Sequence, residues 1–95
     1  MGKVESFTIS GLQLWFNSSD HHPPHFHAKK KGAWEIRVFI KTTNEKDLDF
    51  NVKFSFGKKK PTSSEKKKLA ELVSKHKDKL LEDWEKKVDV KENME

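Results

Sequence analysis

The feature that most constrains this chain is a two-residue alternation of apolar with other side chains, a pattern that one face of a helix cannot present. Trp34, Ile36, Val38 and Ile40 alternate with Glu35, Arg37 and Phe39, and Phe50, Val52, Phe54 and Phe56 alternate with Asn51, Lys53 and Ser55. Each stretch reads as a half-buried strand. Leu12, Leu14 and Phe16 repeat the pattern around Gln13 and Trp15, and Gly11 marks a turn that leaves Val4 to Ile9 as a first strand. Thr42 to Asp49 is polar and turn-rich, a hairpin connection and not a domain boundary.

The period then changes. Past Gly57 and three lysines, Pro61 precedes Thr62-Ser63-Ser64-Glu65, a capping box with Thr62 as N-cap. Leu69, Leu72, Val73, His76, Leu80, Trp84 and Val88 follow at spacings of three and four, which predicts a helix from Ser63 to about Val88, kinked near His76. The expected fold is α+β: an antiparallel sheet of four to five strands with one long C-terminal helix packed on one face and a histidine cluster on the other. With 95 residues, 33% hydrophobic against 37% charged, the chain supports one core. Residues 1–88 therefore read as a single domain and 89–95 as a charged, frayed tail.

The chain has no cysteine, which excludes disulfides, thiolate metal sites and cysteine nucleophiles and makes a cytoplasmic location the expectation. No apolar run approaches the ~20 residues of a membrane span, and Met1 to Phe7 lacks the apolar segment of a signal peptide. Gly2 and Ser6 match the myristoylation pattern, but that pattern is too short to weigh. The net charge is +5, and its placement is uneven. Residues 1–61 hold 11 basic and 6 acidic residues, whereas residues 62–95 hold 9 of each. A basic surface confined to one part of a small domain suits a polyanion such as RNA. Yet 19 of the 20 basic residues are lysine, and Arg37 stands alone, so base-specific reading is not expected.

The densest chemistry lies in Asp20-His21-His22-Pro23-Pro24-His25-Phe26-His27, which holds four of the five histidines. The prolines suit the start of a strand, after which His25 and His27 share one sheet face while Phe26 and Ala28 share the other. A loop of Lys30, Lys31 and Gly32, with Gly32 left-handed, pairs Lys29 with Ala33. Phe26 then falls opposite Ile36 and Ala28 opposite Trp34, while His27 meets Glu35 and His25 meets Arg37. A one-residue slip would set the histidines against Val38 and Ile36.

Three readings follow for this cluster. His25, His27 and Glu35, with His21 arriving from the loop, can act as proton-transfer groups, and paired histidines beside a cation can cleave RNA without metal. Arg37, Lys29, Lys30, Lys31 and Trp15 would then hold the substrate, and no cofactor would be needed. Alternatively His21, His25, His27 and Glu35 supply ligands for a divalent transition metal. In the third reading the histidines build a rigid hydrogen-bonded loop or a partner-binding surface with no chemistry. Trp84 and His76 read as packing residues of the helical stripe. Trp15 and Phe39 fall on the histidine face, where they could stack on bases or meet a partner.

The stretch Asp20-His21-His22-Pro23-Pro24-His25-Phe26-His27-Ala28, followed by a short basic turn, Glu35, an alternating strand, and His76, Leu80 and Trp84, resembles the bacterial domain of unknown function family 4160. The resemblance covers residues 6 to 86. His21, Pro23, Pro24, His25, Phe26, His27 and Glu35 carry the family motif, and His22 departs from it, since a polar residue such as asparagine often stands there. The resemblance implies a toxin component of a type II toxin–antitoxin pair, acting on RNA or translation and neutralised by a small acidic antitoxin-like protein of the DUF2442 type. It fixes neither a substrate nor a reaction.

Overall fold

The computed structural model describes residues 2–17 and 22–88. Five strands, β1 (Gly2–Lys3), β2 (Gln13–Phe16), β3 (His25–Lys30), β4 (Trp34–Phe39) and β5 (Phe50–Ser55), precede two helices, α1 (Ser63–Lys75) and α2 (Lys77–Lys87). The strands form one antiparallel sheet in sequence order, and because β1 is two residues long its body is the four strands β2 to β5. The α+β expectation holds. Among the described residues no helix is long and apolar enough to cross a membrane.

Period-two burial explains β3 and β4. Phe26, Ala28, Ile36 and Val38 are fully buried and share a core with Leu69 and Val73 of α1 and Leu80 and Trp84 of α2. Antiparallel pairing sets Phe26 opposite Val38 and Ala28 opposite Ile36. The expected register is therefore corrected by two residues: Arg37, not Glu35, faces His27, and Phe39, not Arg37, faces His25. The cause lies in the turn. Gly32 is left-handed as expected (φ 74°), but it occupies the third position of a turn closed by Ala33 N–H on the Lys30 carbonyl, which moves the hairpin one residue later along the chain. Because the shift is even, every side chain keeps its face.

Three further expectations fail for local reasons. The first strand does not run from Val4 to Ile9: Val4 and Phe7 are buried at a spacing of three, and pairing with β2 covers Gly2 and Lys3 and ends with Val4 N–H donating to the Leu14 carbonyl at 3.2 Å. The long helix is two helices. The capping box forms as expected, with Thr62 Oγ1 accepting from Glu65 N–H at 3.1 Å and Glu65 Oε1 accepting from Thr62 N–H at 2.8 Å. At His76, however, the backbone leaves helical values (φ −107°, ψ 19°), its ring packs 5.5 Å from that of Phe7, and Lys77 donates to the carbonyl of Thr43. Tertiary contacts on successive residues thus break the helix where its sequence stripe continues.

The third correction concerns Phe50, Val52 and Phe54 of β5 and Phe56 just beyond it, which do not make a single buried face. Ile36 pairs with Val52 but Glu35 pairs with Phe54, so Lys53 is an extra residue in a bulge. The bulge resets the alternation, and Val52, Phe54 and Phe56 are 42%, 37% and 54% exposed.

Candidate functional site

Cross-strand pairing builds the cluster row by row. Trp15 of β2 pairs with His27 of β3, which pairs with Arg37 of β4, and the next row joins Gln13, Lys29 and Glu35. His25 begins β3 opposite Phe39. Side chains of successive rows on one face then meet. The Trp15 and His27 rings stack with centroids 5.3 Å apart and 17° between planes, and His25 lies 5.3 Å from His27. Phe39 at 5.7 Å and Trp84 at 5.4 Å close around His25.

The cluster is therefore interior. His25, His27 and Glu35 are only 6%, 3% and 7% exposed, which corrects the expectation of histidines carried on an open face. Alternation identified their face but not its cover, because Trp84 comes from α2, 59 positions along the chain from the His25 it packs against. The start of β3 is held by its backbone: Pro24 accepts from Ile40 N–H at 3.0 Å, and His25 Nδ1–H donates to the Pro23 carbonyl at 2.9 Å. A carbonyl only accepts, so this bond assigns the proton of a neutral His25 to Nδ1 and leaves Nε2 as its acceptor nitrogen. The His22–Pro23 peptide is cis.

Glu35 sits between a cation and a histidine. Its Oε2 is 3.3 Å from Lys53 Nζ and 4.0 Å from His27 Nδ1. The bulge that exposes Phe54 is what brings Lys53 to this carboxylate. The expected substrate-binding set does not assemble. Lys29 and Arg37 lie on the cluster face, but Lys30 points to the helix side and pairs with Glu65 at 2.9 Å, and Lys31 stands in the turn. That ion pair and the cap shape the titration of Glu65: partial burial raises its pKa, but hydrogen bonds from Thr62 N–H and Lys30 outweigh burial and hold it below the ordinary glutamate value.

His21 lies outside the described residues, and so does the 89–95 tail. Among the described residues no group of three histidine, aspartate or glutamate side chains is placed to hold a metal ion. Of the expected set, His25 donates Nδ1–H to Pro23 and His27 stacks against Trp15. The sequence reading also missed Asp83, which is buried on α2 beside Trp84 and 3.6 Å from Lys79. Its only signal was an acidic residue within the apolar stripe.

One groove reaches the cluster from outside. It encloses about 710 Å³ between the β1–β2 connection and the sheet, and its mainly apolar wall of Phe7, Leu12 and Leu14 also takes in Trp15, Lys29 and Glu35. A family model described as Domain of unknown function (DUF4160) matches residues 11–85, which span the sheet from β2 onward and nearly all of both helices. No curated protein and no solved structure matches the chain significantly.

Proposed function

The chain belongs to the DUF4160 family, and from that premise we propose that it is the toxin component of a bacterial type II toxin–antitoxin module, acting on RNA or the translation apparatus by binding and not by histidine chemistry. The toxin assignment rests on the family resemblance drawn from the Pro23-Pro24-His25-Phe26-His27 motif and Glu35. The choice of binding over catalysis rests on one observation, the 6% and 3% exposure of His25 and His27. A general acid or base must come within hydrogen-bonding reach of the proton it transfers, and with His27 stacked on Trp15 and His25 packed against Phe39 and Trp84, both nearly fully buried, a bulky substrate has little approach to either ring. The binding surface is then the lysine-rich outside of the sheet, including Lys29, Lys31 and Lys58 to Lys60, whose contacts with a polyanion weaken as salt rises.

The test is inducible expression in a bacterial host, with and without the genomic neighbour. Growth arrest relieved by a small acidic partner of the DUF2442 type, and by Lys→Gln changes at Lys29, Lys31 and Lys58 to Lys60 in protein that still folds, supports the reading. Untouched growth in several hosts sinks it. A second reading keeps one observation in its favour. The groove brings Glu35 to solvent-side space with His27 4.0 Å behind it, an arrangement in which a small acyl or phosphoryl group could meet a carboxylate oriented by histidine. Loss of toxicity in a well-folded Glu35→Gln variant, with the lysine variants unaffected, would favour it.

A further inference from the structure

We propose that β5 is a docking edge for an extended acidic segment of another protein, which pairs with it as a sixth strand. The inference stands whether or not the domain is toxic. Among the described residues β5 is the last strand of the sheet, with β4 on one side only. Phe39 N–H donates to the Asp49 carbonyl at 2.9 Å, so strand alternation turns the N–H and C=O groups of Phe50 and Val52 outward, away from β4. Natural edges are usually shielded by inward charges, proline, bulges or short length, and the bulge in β5 guards only its second half. Here the single lysine within the strand, Lys53, is drawn aside to Glu35 at 3.3 Å, and β5 is as long as the central strands. The bulge at Lys53 confines regular pairing to the first half of the strand. Beyond it, Phe54 and Phe56 stand out as an apolar ledge, in mutual edge-to-face contact at 5.6 Å, ready to receive side chains of an incoming strand.

Charge chooses among the occupants. Asp47 and Asp49 precede β5, but from Phe50 to Pro61 the chain carries lysines at 53, 58, 59 and 60 and no acidic residue, so the basic excess lies at the ledge end of the strand. A second copy of this strand would bring like charge to like charge, whereas an apolar segment flanked by aspartate or glutamate meets complementary potential. Single-stranded RNA satisfies the lysines but not the edge. Successive bases stack on ring faces, and Phe54 and Phe56 turn an edge and a face toward each other at 86°. An acidic strand uses the outward backbone groups, the ledge and the lysines together.

The probe is a synthetic decapeptide alternating valine with glutamate, compared with its lysine counterpart and with the glutamate peptide N-methylated on alternate residues. The full chain is expected to bind the glutamate peptide at least tenfold more tightly than either control and to slow amide exchange at Phe50 and Val52. Two variants follow the geometry. Val52→Pro removes an outward N–H and should abolish binding at unchanged melting temperature. The double change Phe54→Ser and Phe56→Ser should weaken binding about tenfold, since a lost apolar ledge costs roughly that factor. The proposal is overturned by equal affinity for the lysine peptide, by binding that leaves β5 amides unprotected, or by no binding of the glutamate peptide at about 1 mM, the weak limit of specific recognition. It is equally overturned if a decauridylate oligonucleotide protects β5 and the peptide does not, or if sedimentation shows a homodimer that Val52→Pro dissociates.

Discussion

Replacing Phe26 by alanine tests the packing that orients the whole cluster. Phe26 is fully buried, opposite Val38 in the sheet, with edge-to-face contacts to Phe7 at 6.1 Å and Phe16 at 6.5 Å. Truncating a buried phenylalanine costs about 3–5 kcal/mol, and loss of two aromatic pairs, each worth about 0.5–1.5 kcal/mol beyond area burial, places this site in the upper half of that range. A domain of 95 residues has a total stability of about 5–14 kcal/mol at 0.05–0.15 kcal/mol per residue. The variant therefore loses more than a quarter of its stability, and with a urea slope of about 2 kcal/mol/M its midpoint falls by about 2 M. His25→Ala should cost less, about 1–3 kcal/mol, because it removes a partner of the Pro23 carbonyl and a contact of Trp84 without opening as large a cavity. Urea unfolding of both variants decides the matter. A loss below about 1.5 kcal/mol for Phe26→Ala, or a larger one for His25→Ala, would show that the account has the two faces of β3 reversed.

Gly32→Ala places a side chain at φ 74° with open space around its Cβ, so the cost is backbone strain alone, about 1 kcal/mol, read as a small drop in melting temperature. Glu65→Gln keeps the cap acceptor but loses the charge on Lys30. Because folding lowers the Glu65 pKa below 4.5, the stability that this charge adds is present above that value and lost as pH falls through the folded pKa. The gap between wild type and Glu65→Gln should thus be constant at neutral pH and close as pH falls below 4.5 through the lowered folded pKa, and a gap that widens in acid would contradict the sign. Chelator and added zinc or nickel should leave the melting temperature unchanged, as followed by calorimetry; a rise with metal would restore the metal reading of His21, His25, His27 and Glu35.

Strand existence was legible because alternation is a local property: Trp34 to Ile40 needs no distant residue to be read as half-buried. Register was not, since Gly32 fits either of two turn positions that differ by one residue, and hydrophobic matching accepts both. The β5 bulge left no mark, because Phe54 and Phe56 look apolar whichever way they face. A kink near His76 was legible, but its completion into a full break depends on Phe7 and Thr43, neither of which lies near His76 in sequence. The same reasoning divides the site. Trp15, Phe39, His25 and His27 could be assigned to one face from parity, and they lie there. Their burial could not, because it requires Trp84 to arrive from the far end of the chain. Polar alternation in a strand thus marks which side chains share a face and leaves open whether that face meets solvent.

The central claim is that the histidine pair is a packed part of the fold and that function resides in the surface. His27→Phe tests it most directly, since phenylalanine preserves a flat ring under Trp15 and removes the proton-transfer and metal-binding capacity of that position. With folding verified by urea unfolding, growth inhibition by this variant upon induction should equal that of wild type within about twofold. A fall of 100-fold or more in inhibitory potency at unchanged stability, the scale set by loss of a general acid or base, would contradict the account and return His27 to the reaction.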